Sequence, residues 1–243
     1  LSGNFTVTEN TRIVYTTEAL AELANRVKTY LSDMLGITLE TVQGSAKAGD
    51  ILLKLTLDKA GEFGKEGYAV AIDEQVVIEA PTETGLFYGA VTIMQILHQD
   101  ENKCNVPKGY IRDYPAYEMR GGMIDVARKF FSIDYIEEIG KYMSWFKLNT
   151  LHLHINDDGG EREASFVVES KKYPQLNKLM GENIWSQDDY RQMQKELKMF
   201  GVNVITEIDT PGHSKSLALI DSSLVSGSSL KLNTQYDKCL SLV

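Results

Sequence analysis

The sequence predicts an α/β chain of two domains: a small α+β domain with an antiparallel sheet at residues 1–115, and about the first half of a (β/α)8 barrel at residues 116–243. Strand-like and helix-like segments alternate after Glu118, which is typical of a parallel sheet with right-handed crossovers. Polar residues follow successive predicted strands, which favours a barrel over an open doubly wound sheet. About half of the 243 residues are left for this barrel, whereas a complete barrel takes about 250 residues.

The composition is that of a globular protein. Hydrophobic residues make up 43% of the chain and charged residues 24%, so disorder is not expected. The net charge of −9 argues against a nucleic-acid partner, which would require a basic face. No apolar stretch approaches the length of a membrane span, and no basic run suits an anionic membrane surface. We therefore expect no nucleic-acid partner and no membrane insertion.

The two cysteines, Cys104 and Cys239, lie far apart and do not have the spacing of metal ligands. Neither their pairing nor the redox compartment can be inferred from the sequence. The chain begins at Leu1, which we interpret as a processed or engineered end.

Two helices and three clear strands are predicted in the first domain. Thr17 is placed to cap a helix that Gly36 ends, and a second helix follows Pro81. The helices show apolar residues at helical spacing: Leu20, Leu23, Ala24, Val27, Leu31 and Met34 in the first, and Leu86, Ala90, Ile93 and Leu97 in the second. The strands are expected at residues 51–57, 68–72 and 76–80, the last two as a hairpin. The polar stretch 99–117 is predicted to be a linker.

The second domain repeats strand and helix. Ser132 is placed to cap one helix, and Ser186 with Asp189 has the form of a capping box for another, which Gly201 ends. The helices carry apolar residues at helical spacing: Ile133, Ile136, Ile139, Met143 and Phe146 in one, and Tyr190, Met193, Leu197 and Phe200 in the other. Strands are expected at residues 119–125, 150–155 and 202–208, with a fourth beginning at residues 239–243.

His152 and His154 allow two interpretations. They are two residues apart on a predicted strand, so their side chains share one face and could bind zinc. Such a site needs a third ligand, and His213 is the available histidine in this domain. The alternative, which we favour, is that both rings fill the barrel interior and hold loops by hydrogen bonds.

Asp157 and Asp158 are adjacent carboxylates at the end of a predicted strand, and they repel each other unless each has a partner. Arg128 and His213 are the available partners. If Asp157 meets His213, the aspartate would fix the tautomer of the imidazole ring. Arg128 offers a planar set of donors that suits sugar hydroxyls or a carboxylate, and a structural salt bridge to Asp125 or Asp157 is an equally good interpretation.

Three segments, in this order and spacing, resemble the β-N-acetylhexosaminidases of glycoside hydrolase family 20. They are RGGMIDVARKFF at 120–131, KLNTLHLHINDD at 147–158 and EIDTPGH at 207–213. The stretch 67–97 in turn resembles the small α+β domain that precedes the barrel in that family. The resemblance thus covers nearly the whole chain.

The resemblance implies a retaining exo-glycosidase that removes terminal β-linked N-acetylglucosamine or N-acetylgalactosamine without a cofactor or a metal. In this mechanism the acetamido oxygen of the substrate attacks the anomeric carbon, so no enzyme nucleophile is needed. By position, Arg128 would bind the ring hydroxyls, and Asp157 with His213 would form the relay that supports the catalytic acid. Asp209 would hold the loop of His213. Asp125, His154 and Asp158 would contact these site residues without contacting the substrate.

Two departures from the family pattern affect this expectation. Gly159-Gly160-Glu161-Arg162 stands where the family usually has Gln-Gly-Trp-Arg, so the rim loses an aromatic residue. The catalytic Asp-Glu pair of the family belongs to a later strand, and we expect it beyond residue 243. General acid catalysis contributes about 10²–10⁴-fold, so we expect this chain alone to be inactive.

Two other functions remain open at this stage: an activity like that of lacto-N-biosidases, and a non-catalytic carbohydrate-binding fragment that keeps Arg128. The expected partner is a glycan or glycoconjugate with a terminal N-acetylhexosamine. Half a barrel would also expose unpaired strand edges, so self-association is expected. We expect a secreted, periplasmic or cell-surface location.

Overall fold

The computed structural model describes residues 2–224, and the chain divides into two compact units between Glu118 and Met119. The strands of the first unit are β1 (Asn4–Thr6), β2 (Arg12–Tyr15), β3 (Glu40–Gln43), β4 (Ile51–Leu55), β5 (Tyr68–Ile72), β6 (Val76–Ala80), β7 (Asn105–Pro107) and β8 (Gly109–Asp113). Its α-helices are α1 (Ala21–Leu35), α2 (Ala60–Phe63) and α3 (Glu83–Gln99). Short 3₁₀-helices at Glu18–Leu20 and Leu57–Lys59 precede α1 and α2.

The main sheet of the first unit has six strands in the order β3-β2-β4-β6-β5-β8. The pairs β2–β3, β2–β4 and β4–β6 are parallel, and only β5–β6 and β5–β8 are antiparallel. The prediction of an antiparallel sheet is therefore wrong for three of the five strand pairs. The physical reason is that β2, α1 and β3 form a crossover unit, which joins parallel neighbours.

The stretch predicted to be a linker belongs to the first unit instead. It contains β7, which pairs with β1, and β8, which closes one edge of the main sheet beside β5. Alternate residues of β8 are exposed, among them Tyr110, because the strand lies at a sheet edge. This half-exposed pattern made the segment look like a polar connection.

Helices α1 and α3 pack on each other and on the main sheet, and together they form the core of the first unit. Gly36 ends α1 in the left-handed conformation, with φ +73°, as the sequence predicts. The hydroxyl of Thr82 accepts a hydrogen bond from the Gly85 amide and caps α3. Thr17, however, precedes the 3₁₀ turn rather than α1, and its side chain makes no capping hydrogen bond.

The second unit contains the strands β9 (Gly121–Asp125), β10 (Thr150–His154), β11 (Asn156–Asp158), β12 (Ala164–Phe166) and β13 (Asn203–Glu207). Its α-helices are α4 (Ile133–Trp145) and α5 (Gln187–Met199). Short 3₁₀-helices lie at Pro174–Asn177, Lys215–Leu219 and Ser222–Leu224. The fourth strand expected at residues 239–243 lies outside the described residues.

Strand β10 lies between β9 and β13, and both pairs are parallel. Helix α4 connects β9 to β10, and α5 precedes β13, so the alternation predicted from the sequence is present. Both predicted caps are also present: Ser132 accepts a hydrogen bond from the Tyr135 amide, and Ser186 accepts one from the Asp189 amide. Strands β11 and β12 form a short antiparallel hairpin beyond β10.

The two faces of this parallel sheet differ. One face packs on α4 and α5 through a buried apolar cluster that includes Leu151, Leu153 and Met193. On the other face, Met123 and Ile205 are exposed and flank His152. Within residues 2–224, none of the helices has the length and apolar character that crossing a bilayer requires.

Candidate active site

Three ionisable side chains lie at one level across the parallel sheet. His154 on β10 is in register with Asp125 on β9 and with Glu207 on β13. Each of the three residues is the last of its strand. Residues in register on neighbouring parallel strands point to the same face, so these groups meet at the carboxyl edge of the sheet. This is the edge at which barrels of parallel strands place their functional groups.

Asp157, in the hairpin strand β11, is the centre of the site and has 0% of its side chain exposed. Its Oδ2 lies 2.7 Å from Arg128 Nη2 and 2.6 Å from His154 Nε2. Its Oδ1 lies 2.7 Å from His213 Nδ1 and also accepts the amide of Asp158. Burial opposes ionisation of this carboxyl, but the hydrogen bonds from His154, Asp158 and His213 outweigh burial and lower its pKa. Asp157 is therefore an ionised carboxylate whose two oxygens are both engaged.

Arg128 joins two carboxylates while remaining 46% exposed. Its Nη1 lies 2.6 Å from Asp125 Oδ2, and its Nη2 contacts Asp157. Asp125 Oδ1 also accepts the amides of Ala127 and Arg128, which fixes the turn that follows β9. The hydrogen bond with Asp125 raises the pKa of Arg128, although burial acts in the opposite direction. The guanidinium has five N–H donors, so it can hold both carboxylates and still offer donors at its exposed side.

His213 is brought to Asp157 by a loop that Asn156 ties down. The side-chain amide of Asn156 donates to the carbonyls of Asp209 and His213, at 3.0 and 2.9 Å, and its oxygen accepts the Asp209 amide at 2.8 Å. His213 itself has φ +51°, a left-handed conformation that is uncommon outside glycine. The Asp209 carboxylate lies farther off, 3.8 Å from His213 Nε2. The contact between Asp157 and His213 suggested by the sequence is thus present, and Asp209 acts on this loop mainly through its backbone.

Asp158 does not meet Arg128 or His213 directly. Its Oδ1 accepts the amide of Lys215 at 2.7 Å, which attaches the hairpin to the segment after His213. Burial raises the pKa of Asp158, and the neighbouring Asp157 adds to this effect. The two adjacent carboxylates therefore have different partners, and their pKa values are shifted in opposite directions.

The segment that departs from the family pattern lies on Arg128. Gly160 has φ +77°, and a Cβ atom at this position would lie 2.5 Å from the Arg128 carbonyl oxygen. The amide of Glu161 donates to the same carbonyl at 3.0 Å. Glycine at 160 therefore lets the loop contact the backbone of Arg128 closely, which no other residue type allows without movement.

The zinc interpretation of the histidines does not fit the geometry. Both ring nitrogens of His154 face carboxylates: Nε2 lies 2.6 Å from Asp157 and Nδ1 lies 3.0 Å from Glu207. Two sets of side chains, Asp125 with His154 and Asp157, and His154 with Glu207 and Asp209, are close enough to share an ion. Neither set contains His152 or His213, which the zinc interpretation requires beside His154.

Two residues of this site were not assigned a role from the sequence. Asn156 was missed because a buried amide in a run of polar residues has no distinct signal. Glu207 was missed because its proximity to His154 depends on the strand register, which is visible only in the structure.

The comparisons with known proteins agree with the architecture. The family model for domain 2 of glycosyl hydrolase family 20 matches residues 1–114, and the model for the catalytic domain of that family matches residues 117–240. Among solved structures, the "GH20 beta-N-acetylhexosaminidase from Streptomyces coelicolor A3(2)" is 27% identical, with a TM-score of 0.83, and the match covers 100% of this chain and 53% of that chain.

Two curated relatives represent the sequence matches. A "Beta-hexosaminidase" of Porphyromonas gingivalis is 28% identical over 229 residues, which is 87% of this chain and 29% of the relative. A "Lacto-N-biosidase" of Bifidobacterium bifidum is 28% identical over 216 residues, which is 87% of this chain and 18% of the relative. This chain therefore spans less than a third of either relative.

The predicted fold class is confirmed: a small sheet domain precedes the strand–helix repeats of a (β/α)8 catalytic barrel. The site described above lies in the part that the catalytic-domain model matches. The chain belongs to glycosyl hydrolase family 20.

Proposed function

We propose that this chain is part of a glycosidase that removes terminal β-linked N-acetylhexosamine from glycans. One observation carries the proposal: buried Asp157 joins the half-exposed guanidinium of Arg128 to the ring of His213 at the carboxyl edge of the parallel sheet. A donor group for sugar hydroxyls and an oriented imidazole thus stand side by side. Membership of the family supports the same reaction.

The roles follow from the geometry. Arg128 directs its exposed donors to the ring hydroxyls, while Asp125 and Asp157 fix the plane of its guanidinium. Because His213 Nδ1 faces Asp157, the other ring nitrogen is left to hydrogen-bond the catalytic acid. The substrate's acetamido oxygen supplies the nucleophile, so the protein contributes binding, orientation and proton transfer.

The general acid is the part of this mechanism that the site does not contain. In the sequence, Asp-Glu pairs occur at residues 73–74 and 100–101, and both pairs belong to the first unit. Neither follows a strand of the parallel sheet. We propose that the acid and its aspartate neighbour come from a later strand of the barrel, so the 243-residue chain by itself does not cleave glycosides.

The direct test is an assay of the purified chain with aryl β-N-acetylglucosaminide and β-N-acetylgalactosaminide, together with binding of free N-acetylglucosamine and glucose. We expect no release of the aryl alcohol and saturable binding of both sugars, because they share the ring hydroxyls that Arg128 faces. Release of the aryl alcohol would contradict the missing acid. Binding of neither sugar would contradict the proposed sugar site.

A second candidate activity is release of a disaccharide, because the lacto-N-biosidase of B. bifidum is as similar to this chain as the P. gingivalis β-hexosaminidase is. Binding distinguishes the two activities. A site for one terminal sugar binds N-acetylglucosamine but not lacto-N-biose, whose N-acetylglucosamine carries a galactose on O3, whereas a disaccharide site binds lacto-N-biose much more tightly. A non-catalytic carbohydrate-binding fragment would bind sugar through Arg128 in the same way but would contribute no acid-supporting relay.

Two proposals concern the surroundings of the protein. Within the described residues, β9 and β13 each pair on one side only, and we propose that these edges promote self-association. Sedimentation analysis that finds a monomer at all concentrations would contradict this.

We also propose a secreted, periplasmic or cell-surface location, because glycan substrates of this class lie outside the cytoplasm. Fractionation of the source cells tests this proposal.

A further inference from the structure

Five side chains form a continuous row in which imidazole and carboxylate alternate. The row runs His213, Asp157, His154, Glu207 and His152, with partly exposed histidines at both ends and buried Asp157 and His154 between them. The four contacts measure 2.7 Å (His213 Nδ1 to Asp157 Oδ1), 2.6 Å (Asp157 Oδ2 to His154 Nε2), 3.0 Å (His154 Nδ1 to Glu207 Oε1) and 2.6 Å (Glu207 Oε2 to His152 Nε2). The row therefore continues three residues beyond the Asp157–His213 pair.

The geometry at His154 determines its protonation. A neutral imidazole has one N–H and one lone pair. If His154 were neutral, one of its nitrogens would direct a lone pair at a carboxylate oxygen, unless that carboxyl group were itself protonated. Asp157 is not protonated, because Arg128 and His213 also donate to it. Burial alone would lower the pKa of His154, but its hydrogen bonds with Asp157 and Glu207 outweigh burial and raise it.

We propose that His154, held as an imidazolium between Asp157 and Glu207, is a positioning residue that fixes Asp157 with one oxygen toward Arg128 and the other toward His213, so that the His213 ring is oriented to hydrogen-bond the catalytic acid. The proposal rests on the proposed function for its purpose, but its geometry is independent of that function. Glu207 is the second positioning residue, because it supplies the carboxylate that retains the proton of His154.

The charges around His154 support this assignment. Asp157 and Glu207 hydrogen-bond its two nitrogens, Asp125 faces it from β9, and Arg128 lies on the other side of Asp157. The ring of His213 stands edge-on to His154, with the ring centroids 5.9 Å apart. A positive His154 donates to one oxygen of Asp157 while His213 contacts the other, so the two rings together fix the orientation of the carboxylate.

The test is NMR of the ring signals in the isotope-labelled 243-residue chain. Its four histidines make the NMR spectrum simple to assign. In the wild type we expect the ¹⁵N shifts of His154 to remain those of an imidazolium at pH values above the ordinary His value of about 6.5. In His154→Gln, we expect the Nδ1 proton of His213, which hydrogen-bonds Asp157, to exchange with water at least about tenfold faster, since Asp157 has lost the donor that fixes its other oxygen.

His152→Gln is the matched control, because it makes the same substitution on the same strand and face but leaves the contact between His154 and Asp157 in place. We expect it to leave the exchange rate of the His213 Nδ1 proton within about threefold of the wild type. Glu207→Gln should lower the pH at which His154 loses its proton, because it removes one of the two carboxylates that hydrogen-bond the ring. A neutral His154 at pH 7 in the wild type would overturn the proposal.

Unchanged exchange of the His213 Nδ1 proton in folded His154→Gln would also overturn the proposal. If that variant does not fold, the wild-type ¹⁵N shifts and the Glu207→Gln variant decide the question. These ring signals do not depend on sugar binding or hydrolysis. Failure of the proposed function would therefore leave them unchanged, and failure of the proton assignment would leave sugar binding unchanged.

Discussion

The two sheets of this chain differ in the side chains and helices that lie on their faces. In the first unit, α1 and α3 cover the sheet, and the largest fully buried side chains of residues 2–224 all lie between Ile13 and Leu97. In the second unit, α4 and α5 cover one face of the parallel sheet, while the other face carries His152, His154 and Glu207 beside exposed apolar residues. The first unit thus holds the largest fully buried side chains, and the second holds the ionisable groups of the site.

This difference has a physical basis. A buried carboxylate such as Asp157 costs free energy unless charged partners surround it, and those partners occupy positions that apolar residues would otherwise fill. The second unit places its ionisable groups at the carboxyl edge of the sheet, where hairpin and loop amides donate to the carboxylates of Asp125, Asp157 and Asp158. The predictions below test this division, from the largest expected effect to the smallest.

The largest effect is expected from a cavity in the first sheet. Leu53 on β4 is 0% exposed, so Leu53→Ala should lower the free energy of unfolding by about 2–5 kcal/mol in urea titrations followed by circular dichroism. Ile205 on β13 is 45% exposed, and Ile205→Ala should change the free energy by less than about 0.5 kcal/mol. Equal effects of the two substitutions would contradict the contrast between the sheets.

The second effect concerns the centre of the site. Asp157→Asn leaves Arg128 and His154 without their shared carboxylate, and we expect the second unit to lose about 3 kcal/mol of stability. Both tryptophans, Trp145 and Trp185, lie in the second unit, so denaturation followed by tryptophan fluorescence reports on this unit. Asp209→Asn serves as the control and should cost less than about 1 kcal/mol, because its carboxylate is partly exposed. An Asp157→Asn variant with the same free energy of unfolding as the wild type would refute the central role of this carboxylate.

A pair of neighbouring glycines gives the third prediction. Gly160→Ala would place a methyl group against the backbone of Arg128, so we expect a loss of about 2–3 kcal/mol together with weaker sugar binding. Gly159→Ala has a similar positive φ but meets no atom within 4 Å, so only the backbone strain of about 1 kcal/mol is expected. Calorimetric titration with N-acetylglucosamine and thermal melts distinguish them. Identical behaviour would mean that the loop does not support Arg128.

The smallest effect is a pH dependence. The raised pKa of His154 stabilises the fold fully below its unfolded value of about 6.5, and this stabilisation is lost as the pH rises through the folded value. The lowered pKa of Asp157 acts in the opposite direction: its contribution is present above about pH 3.9 and is lost as the pH falls through the folded value. Tryptophan-detected stability should therefore decline on the alkaline side. His154→Gln should flatten that decline and His98→Gln, in the first unit, should retain it.

Much of the fold followed from the sequence. Ser132 and Ser186 cap the helices at the predicted positions, because a hydroxyl before an amphipathic pattern is a local signal. The parallel pairs of the first sheet were not predicted, since β3 is a short strand without a buried residue and shows no apolar alternation. Without β3, the crossover through α1 could not be recognised.

The candidate site, like the fold, was predicted from the sequence only in part. Arg128, Asp157 and His213 were found because they belong to recognisable segments, and the structure brings all three into contact. The row through Glu207 was not found, because it depends on His154 being opposite Glu207 and not opposite Thr206. A shift of one residue in register would turn Glu207 to the other face of the sheet. Sequence patterns do not determine register to that accuracy.

The most direct test of the account is the affinity of the chain for N-acetylglucosamine with and without the planar donor group of Arg128. Arg128→Lys keeps the positive charge beside Asp125 and Asp157 but removes the paired donors. We predict that the wild type binds the sugar and that Arg128→Lys, still folded by circular dichroism, binds at least about tenfold more weakly. Equal affinity of the two proteins would contradict the assignment of this edge of the sheet as the sugar-binding side of the active site.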